Sequence, residues 1–210
     1  MAPRQTEFDF SGGTYRAVKV SAFDQHKMLR LLDPVMNDFR ERTYIRRGRN
    51  FVTAGRQMEA LTAAVAGIEA EALAELFDVC LTGIERDTED GWQPIYSADD
   101  QNSLFEDLTA GRLVSLVVRT VLHSLMPFFM RKSLEFKPTP GPSYTHVSLH
   151  DGLSWLMLPV ERGLCKYESL KDGTLDLTDI ALMNDQIAVT AENTTRAQKA
   201  AQEEAERRAR

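Results

Sequence analysis

The sequence predicts a mainly α-helical protein: an N-terminal β-hairpin packed on a small helical domain, a Pro-rich linker, and a helical C-terminal extension. Three observations carry this. Apolar residues recur at helical spacing in successive blocks from Met28 to Ile187. Clear period-two alternation is confined to the stretch around Gly12-Gly13. Pro138, Pro140 and Pro142, with Gly141, interrupt the chain where neither pattern holds, which favours an extended spacer.

Composition sets the frame. A chain of 210 residues with 43% hydrophobic and 27% charged residues has the make-up of a soluble, foldable protein, sized for one domain with an appendage or two small ones. The formal charge of −6 argues against general nucleic-acid binding, which needs a basic surface. Cys80 and Cys165 stand far apart without metal spacing, so no disulfide framework is expected and a reducing cytosol fits. The first residues lack the apolar stretch of a signal peptide. The most apolar run, residues 113–130, contains Arg119, His123 and Pro127. A charge at the bilayer centre costs about 3 kcal/mol, so this run is expected to be a buried helix rather than a membrane span.

In chain order, Phe8-Asp9-Phe10 and Tyr15 to Val20 alternate on either side of a Gly12-Gly13 turn, a hairpin too short to persist unless it lies on something else. Ser21 and Asp24 form a capping-box start, with Asp where Glu or Gln is usual. Met28, Leu31, Leu32, Val35, Met36 and Phe39 supply one helix face, which Pro34 should kink or split. Arg40, Arg42, Arg46, Arg47 and Arg49 make an Arg-rich connection. Met58, Leu61, Val65 and Ile68, then Leu73, Leu76, Phe77, Cys80 and Ile84, mark two amphipathic helices. Residues 87–91 are a polar break. Residues 92–96 are an edge strand or an extended segment, since Pro94 forbids a central strand. Residues 102–108 read as a short helix, ahead of the apolar one. Beyond the prolines, residues 149–158 give a helical turn or two that Pro159 interrupts. Asp176, with Asp179 three residues on, starts the last helix. Its stripe is Leu177, Ile180, Met183 or Asn184, and Ile187. Past Ala191 the apolar face thins to alanines, with Glu203–Arg207 and Glu204–Arg208 as i,i+4 pairs.

No catalytic pattern is evident. His146, His150 and Asp151 can be drawn as a metal site for a small hydrolase, but no HExxH pattern or third cluster accompanies them. Neither cysteine has a paired histidine, and Cys80 sits in an apolar stripe as a small buried hydrophobe. No phosphate loop or calcium loop is present, and no cofactor is expected. The candidate features are therefore surfaces. Arg46 and Arg47, with Tyr44 and Phe51 interleaved, read first as a solvated loop; as a binding surface they suit an acidic protein partner better than nucleic acid. Tyr167, Leu177, Ile180, Met183, Asn184 and Ile187 form either a docking face or the side packed on Leu153, Trp155 and Leu158.

These residues also carry a resemblance. The block from Pro159 to Leu170 and the block from Asp172 to Asn184, ending in Ala191-Glu192-Asn193, are similar to small proteins encoded in tail gene clusters of long-tailed bacteriophages. The Phe-Asp-Phe hairpin, Leu31-Leu32-Asp33-Pro34, and Gly91-Trp92-Gln93-Pro94-Ile95 ahead of an apolar helix resemble phage tail assembly chaperones. The resemblance implies that residues 1–136 match a short product of that family and residues 146–210 an extension, with 137–145 as the joint. In that family the long form usually arises by a programmed ribosomal frameshift, whereas this sequence is one continuous chain.

The role so implied is non-catalytic. The chaperone would keep the tape-measure protein soluble, recruit the major tail tube protein, and act in the host cytoplasm while being scarce in the mature virion. Self-association is compatible with such a coat. The alternative is a structural tail-completion or connector protein retained in the virion.

Overall fold

The computed structural model describes residues 5–43, 54–132, 134–139 and 147–209, with side chains described for these apart from 36–43 and 54–57. The chain is mainly helical with a small antiparallel sheet. Strand β1 (Gln5–Phe10) turns through Ser11 and Gly12 into β2 (Gly13–Val18). Both turn residues have positive φ, 49° and 85°, the twist that a two-residue hairpin needs. The turn thus falls one residue earlier than Gly12-Gly13. Gly13 is instead a strand residue where a Cβ would meet the Arg86 Nε at 3.1 Å and the Tyr15 ring at 3.2 Å.

Three helices separate the hairpin from the rest of its sheet: α1 (Ala22–Thr43), α2 (Ala54–Val65) and α3 (Ala70–Leu81). Strand β3 (Ile84–Thr88) then pairs with β2, and β4 (Gly91–Pro94) with β3, giving the order β1-β2-β3-β4. The hairpin persists because β3 extends it. Ile84 opens β3 rather than closing a helix stripe, and the polar residues 87–91 hold the β3–β4 turn. Pro94 lies on the edge strand, where its missing N–H costs no ladder bond.

The register places Phe8 opposite Tyr15 and Tyr15 opposite Arg86. Phe8, Phe10, Tyr15, Ala17 and Ile84 therefore share one face, which packs into the core. The other face carries Arg16, with its guanidinium 4.5 Å over the Trp92 ring and an ion pair to Glu85.

Residues 102–108 do not form a helix. Asn102–Ser103 is strand β6, paired with β5 (Tyr96–Ser97). The Ser103 hydroxyl accepts from the Phe105 N–H and donates to the Phe105 carbonyl, local bonds that compete with a helix. Helix α4 (Ala110–Met130) follows. By length and composition it is the one described helix apolar enough to cross a membrane. In this fold it is the central core helix: Leu113, Leu116, Val117, Val118, Val121 and Leu125 are buried, and α2, α3 and α7 pack around it.

After the prolines come a 3₁₀ turn (His150–Gly152), α5 (Leu153–Glu161), α6 (Tyr167–Lys171) and α7 (Leu177–Arg208). Leu156, Leu170, Leu177 and Ile180 are fully buried in the same cluster as Tyr15, Met28, Leu32 and Leu116. The two segments drawn on either side of 137–145 thus share one apolar core.

Three prolines lie inside helices without ending them: Pro34 in α1, Pro127 in α4 and Pro159 in α5. Pro34 is exposed, so water can reach the carbonyl one turn back, while Met28 and Leu32 hold the other face in the core. Pro159 is buried and leaves the Trp155 carbonyl without its helical partner. That carbonyl accepts from the Asn184 side-chain N–H at 2.9 Å. A proline that looks like a helix terminator is thus accommodated by a residue of the next helix but one.

Candidate interaction surface

The extension is fastened to the helical body by polar contacts around an apolar seam. The loop from β2 to α1 and the first turn of α1 provide the body's half. The Gln25 side chain is buried; its N–H donates to the Val20 carbonyl at 3.1 Å, and its oxygen accepts from the Leu177 N–H at 3.1 Å. It therefore satisfies an N–H in the first turn of α7, a group that helix geometry leaves open. Lys19 reaches Asp176 at 2.9 Å and Asp179 at 3.9 Å.

Asp176 also caps α7, accepting from the Thr178 and Asp179 N–H groups, while Asp179 accepts from the Asp176 N–H at 3.0 Å. Such a reciprocal cap contributes about 1 kcal/mol. Burial works against the Asp176 charge, but the Lys19 ammonium and the capping N–H groups outweigh it and hold the carboxyl below its ordinary value.

Gly173 makes the approach possible. Its φ is +76°, and a Cβ there would lie 2.7 Å from the Lys19 carbonyl oxygen. Any side chain must push the loop away from the body. On its far side α7 is held by the Arg131–Asp185 ion pair at 2.8 Å. Lys137 and Thr139 lie beside the same helix. There the Glu192 carboxylate accepts from the Thr139 hydroxyl at 2.7 Å and from its backbone N–H, and pairs with Arg196 at 2.6 Å.

The Thr139 hydroxyl and N–H, with the Arg196 guanidinium, hold the Glu192 carboxyl down to about 2. A carboxyl lowered in the folded state stabilises it above the unfolded value, and that contribution fades as pH falls through the folded value. The contact between 134–139 and α7 is therefore expected to loosen between pH 4.5 and about 2. Protection of the Thr139 amide, measured as its exchange rate relative to the intrinsic rate at the same pH, should fall across that window in the wild type and stay level in Glu192→Gln.

The candidate residues divide between the two readings of the stripe. Leu177 and Ile180 are fully buried against the chain's own body, so the face they make is already occupied. Met183 and Ile187 continue it half-buried. Asn184 serves the Trp155 carbonyl, and its own Oδ1 is buried with no hydrogen-bond partner among the described residues. Tyr167 stays 44% exposed, with its ring edge-on to Phe23 at 5.6 Å and the Lys171 ammonium over it. Leu182, on the outer side of α7, is 68% exposed. Arg46 and Arg47 lie outside the described residues.

The metal reading gains no geometry. His146 lies outside the described residues, and the Asp151 carboxylate is paired with Arg30. Among the described residues no group of three His, Cys, Asp or Glu side chains is placed to hold a metal ion. Cys80 is fully enclosed, and burial pushes its thiol well up, away from thiolate chemistry.

Sequence reasoning missed Lys19, Gln25 and Gly173. Asp172-Gly173 is a legible turn, but which carbonyl it must approach is a tertiary fact. A polar residue at position 25, on the apolar side of a helix start, was the available signal for a buried pin.

Comparison with known proteins agrees with an assembly role. No curated protein and no solved structure matches the chain. A family model described as a family of unknown function matches residues 165–204, which span α6 and most of α7. A second model, described as phage tail assembly chaperone protein, matches residues 11–135, from the hairpin turn through the whole of α4. That is more than half of the 210 residues, and the chain belongs to the phage tail assembly chaperone family.

Proposed function

We infer that this chaperone keeps the tape-measure protein soluble before the tail tube encloses it and brings the major tail tube protein to it, acting in the host cytoplasm. The family match over residues 11–135 carries this reading. The physical demand is simple. A long helical protein with apolar faces must be covered reversibly until its permanent sheath arrives, and reversible cover calls for modest, adaptable interfaces. A chaperone with one surface for each partner raises the effective concentration of tube subunits along the tape measure without further contacts.

Leu156, Leu170, Leu177 and Ile180 are part of the core, so cutting the chain at the prolines would bare apolar surface. The decisive experiment therefore uses the intact chain, co-expressed with the tape-measure and tube proteins encoded beside it. Capture of both is the expected result. Capture of neither removes the reading. Stoichiometric presence of the chain in purified virions would favour a tail-completion or connector protein instead.

A further inference from the structure

We propose that the face of the body beneath α7, formed by the start of α1 and the second half of α4, is a helix-binding groove that the chain's own C-terminal extension keeps closed. Its occupant when opened is an amphipathic helix of the partner, with an acidic cap. This rests on the tape-measure reading above for the identity of that partner, though not for the existence of the groove.

The extension displays what the groove accepts. It seats a helix through Leu177 and Ile180, both fully buried. It receives the helix start through the Gln25 oxygen and takes acidic cap residues on the Lys19 ammonium. These are recognition elements for a capped amphipathic helix in general: an apolar seam, an acceptor for a first-turn N–H, and a cation for the negative cap.

The closure also has features of a reversible contact. The extension contributes four fully buried side chains to the core cluster, Leu156, Leu170, Leu177 and Ile180, with Leu153, Trp155, Met157, Val160, Cys165 and Leu175 packed half-buried against it. Gly173 confines the loop to a position that a single methyl group would forbid. Asn184 holds α7 to α5, so the two can leave together as one hinged piece.

A site occupied by its own chain binds an external helix only through the open fraction, and apparent affinity falls by that fraction. The extension would therefore delay capture of weak helices and yield to strong or repeated ones, restricting the chaperone to long helical partners with many copies of the motif.

The test compares the intact protein with two opened variants, Gly173→Ala and Ile180→Asp. Both changes lie in the extension and leave the groove wall untouched. The Trp92 signal, from the sheet, reports that the body remains folded; if Ile180→Asp fails that check, Gly173→Ala carries the comparison. The first probe is a labelled peptide with the sequence of residues 174–191 of this chain. The expected result is binding to the opened variants about tenfold or more tighter than to the intact protein. Equal binding, or none to a folded opened variant, overturns the proposal.

Helical segments of the tape-measure protein are the second probe. If the chain's own peptide binds the opened forms and no tape-measure segment does, the groove stands and the tape-measure reading falls. If tape-measure segments bind intact and opened forms alike, the tape-measure reading stands and the closed groove is refuted.

Discussion

Leu177→Ala is expected to weaken the seating of α7 by about 2–5 kcal/mol, the usual cost of truncating a buried leucine and leaving a cavity. Leu177 is fully buried, and its N–H is the group that Gln25 receives, so little room exists for the site to collapse. The two tryptophans make the consequence visible. Trp92 lies in β4 and Trp155 in α5, one in the body and one in the extension. With each replaced in turn by Phe, the remaining one reports on its own half. In the Leu177→Ala background the Trp155 transition should move to markedly lower denaturant, and the Trp92 transition should follow by much less. Proteins open in cooperative parts with separate free energies, and the extension is expected to be such a part. Equal shifts of both signals would mean that the extension never leaves an intact body.

Tyr15→Ala should strike the body rather than the extension, costing about 3–5 kcal/mol for loss of a large buried aromatic. Tyr15 is 1% exposed, stacks on Phe8 at 5.8 Å, meets Phe10 edge-on at 5.9 Å and lies under the Arg86 guanidinium at 5.7 Å. It sits on β2 between β1 and β3, so its loss loosens the sheet on both sides. Here both tryptophan signals should fall together, because the extension has nothing to dock on once the body unfolds. Tyr15→Phe keeps the ring contacts and should stay within about 0.5 kcal/mol of wild type, the range of ordinary neutral substitutions. A large loss in Tyr15→Phe would show that the hydroxyl, rather than the ring, holds the site.

Much of this architecture was legible because its determinants are local. The hairpin, the Ser21–Asp24 helix start, the apolar α4 and the Asp176–Asp179 cap each follow from residues within a turn of one another, and the fold has all four. Failures came where a distant partner decides. The β3 strand follows a helical stripe so closely that Ile84 fits both periods, and only pairing with β2 settles it. Pro159 breaks no helix because Asn184, twenty-five residues on, takes up the carbonyl it frees. The stripe on α7 was equally compatible with packing and docking, since an apolar face does not say what covers it. In the fold, the chain itself covers its first two turns.

The outer part of α7 has a separate consequence. The helix runs to Arg208, and from position 193 onward its residues are exposed on every side. Arg196 still donates to the Lys137 carbonyl at 3.2 Å, and at about 1.5 Å of rise per residue the helix from 197 to 208 extends about 18 Å further. A 100-residue domain with a radius of gyration of about 13 Å is about 34 Å across, so the arm reaches about half-way across one. A protein gripping the helix near Glu204 and Arg208 would hold the chain by turns that contribute nothing to its core. Such a grip leaves Leu177 and Ile180 seated in the core, at a distance along the chain fixed by helix length rather than by the flexibility of a loop.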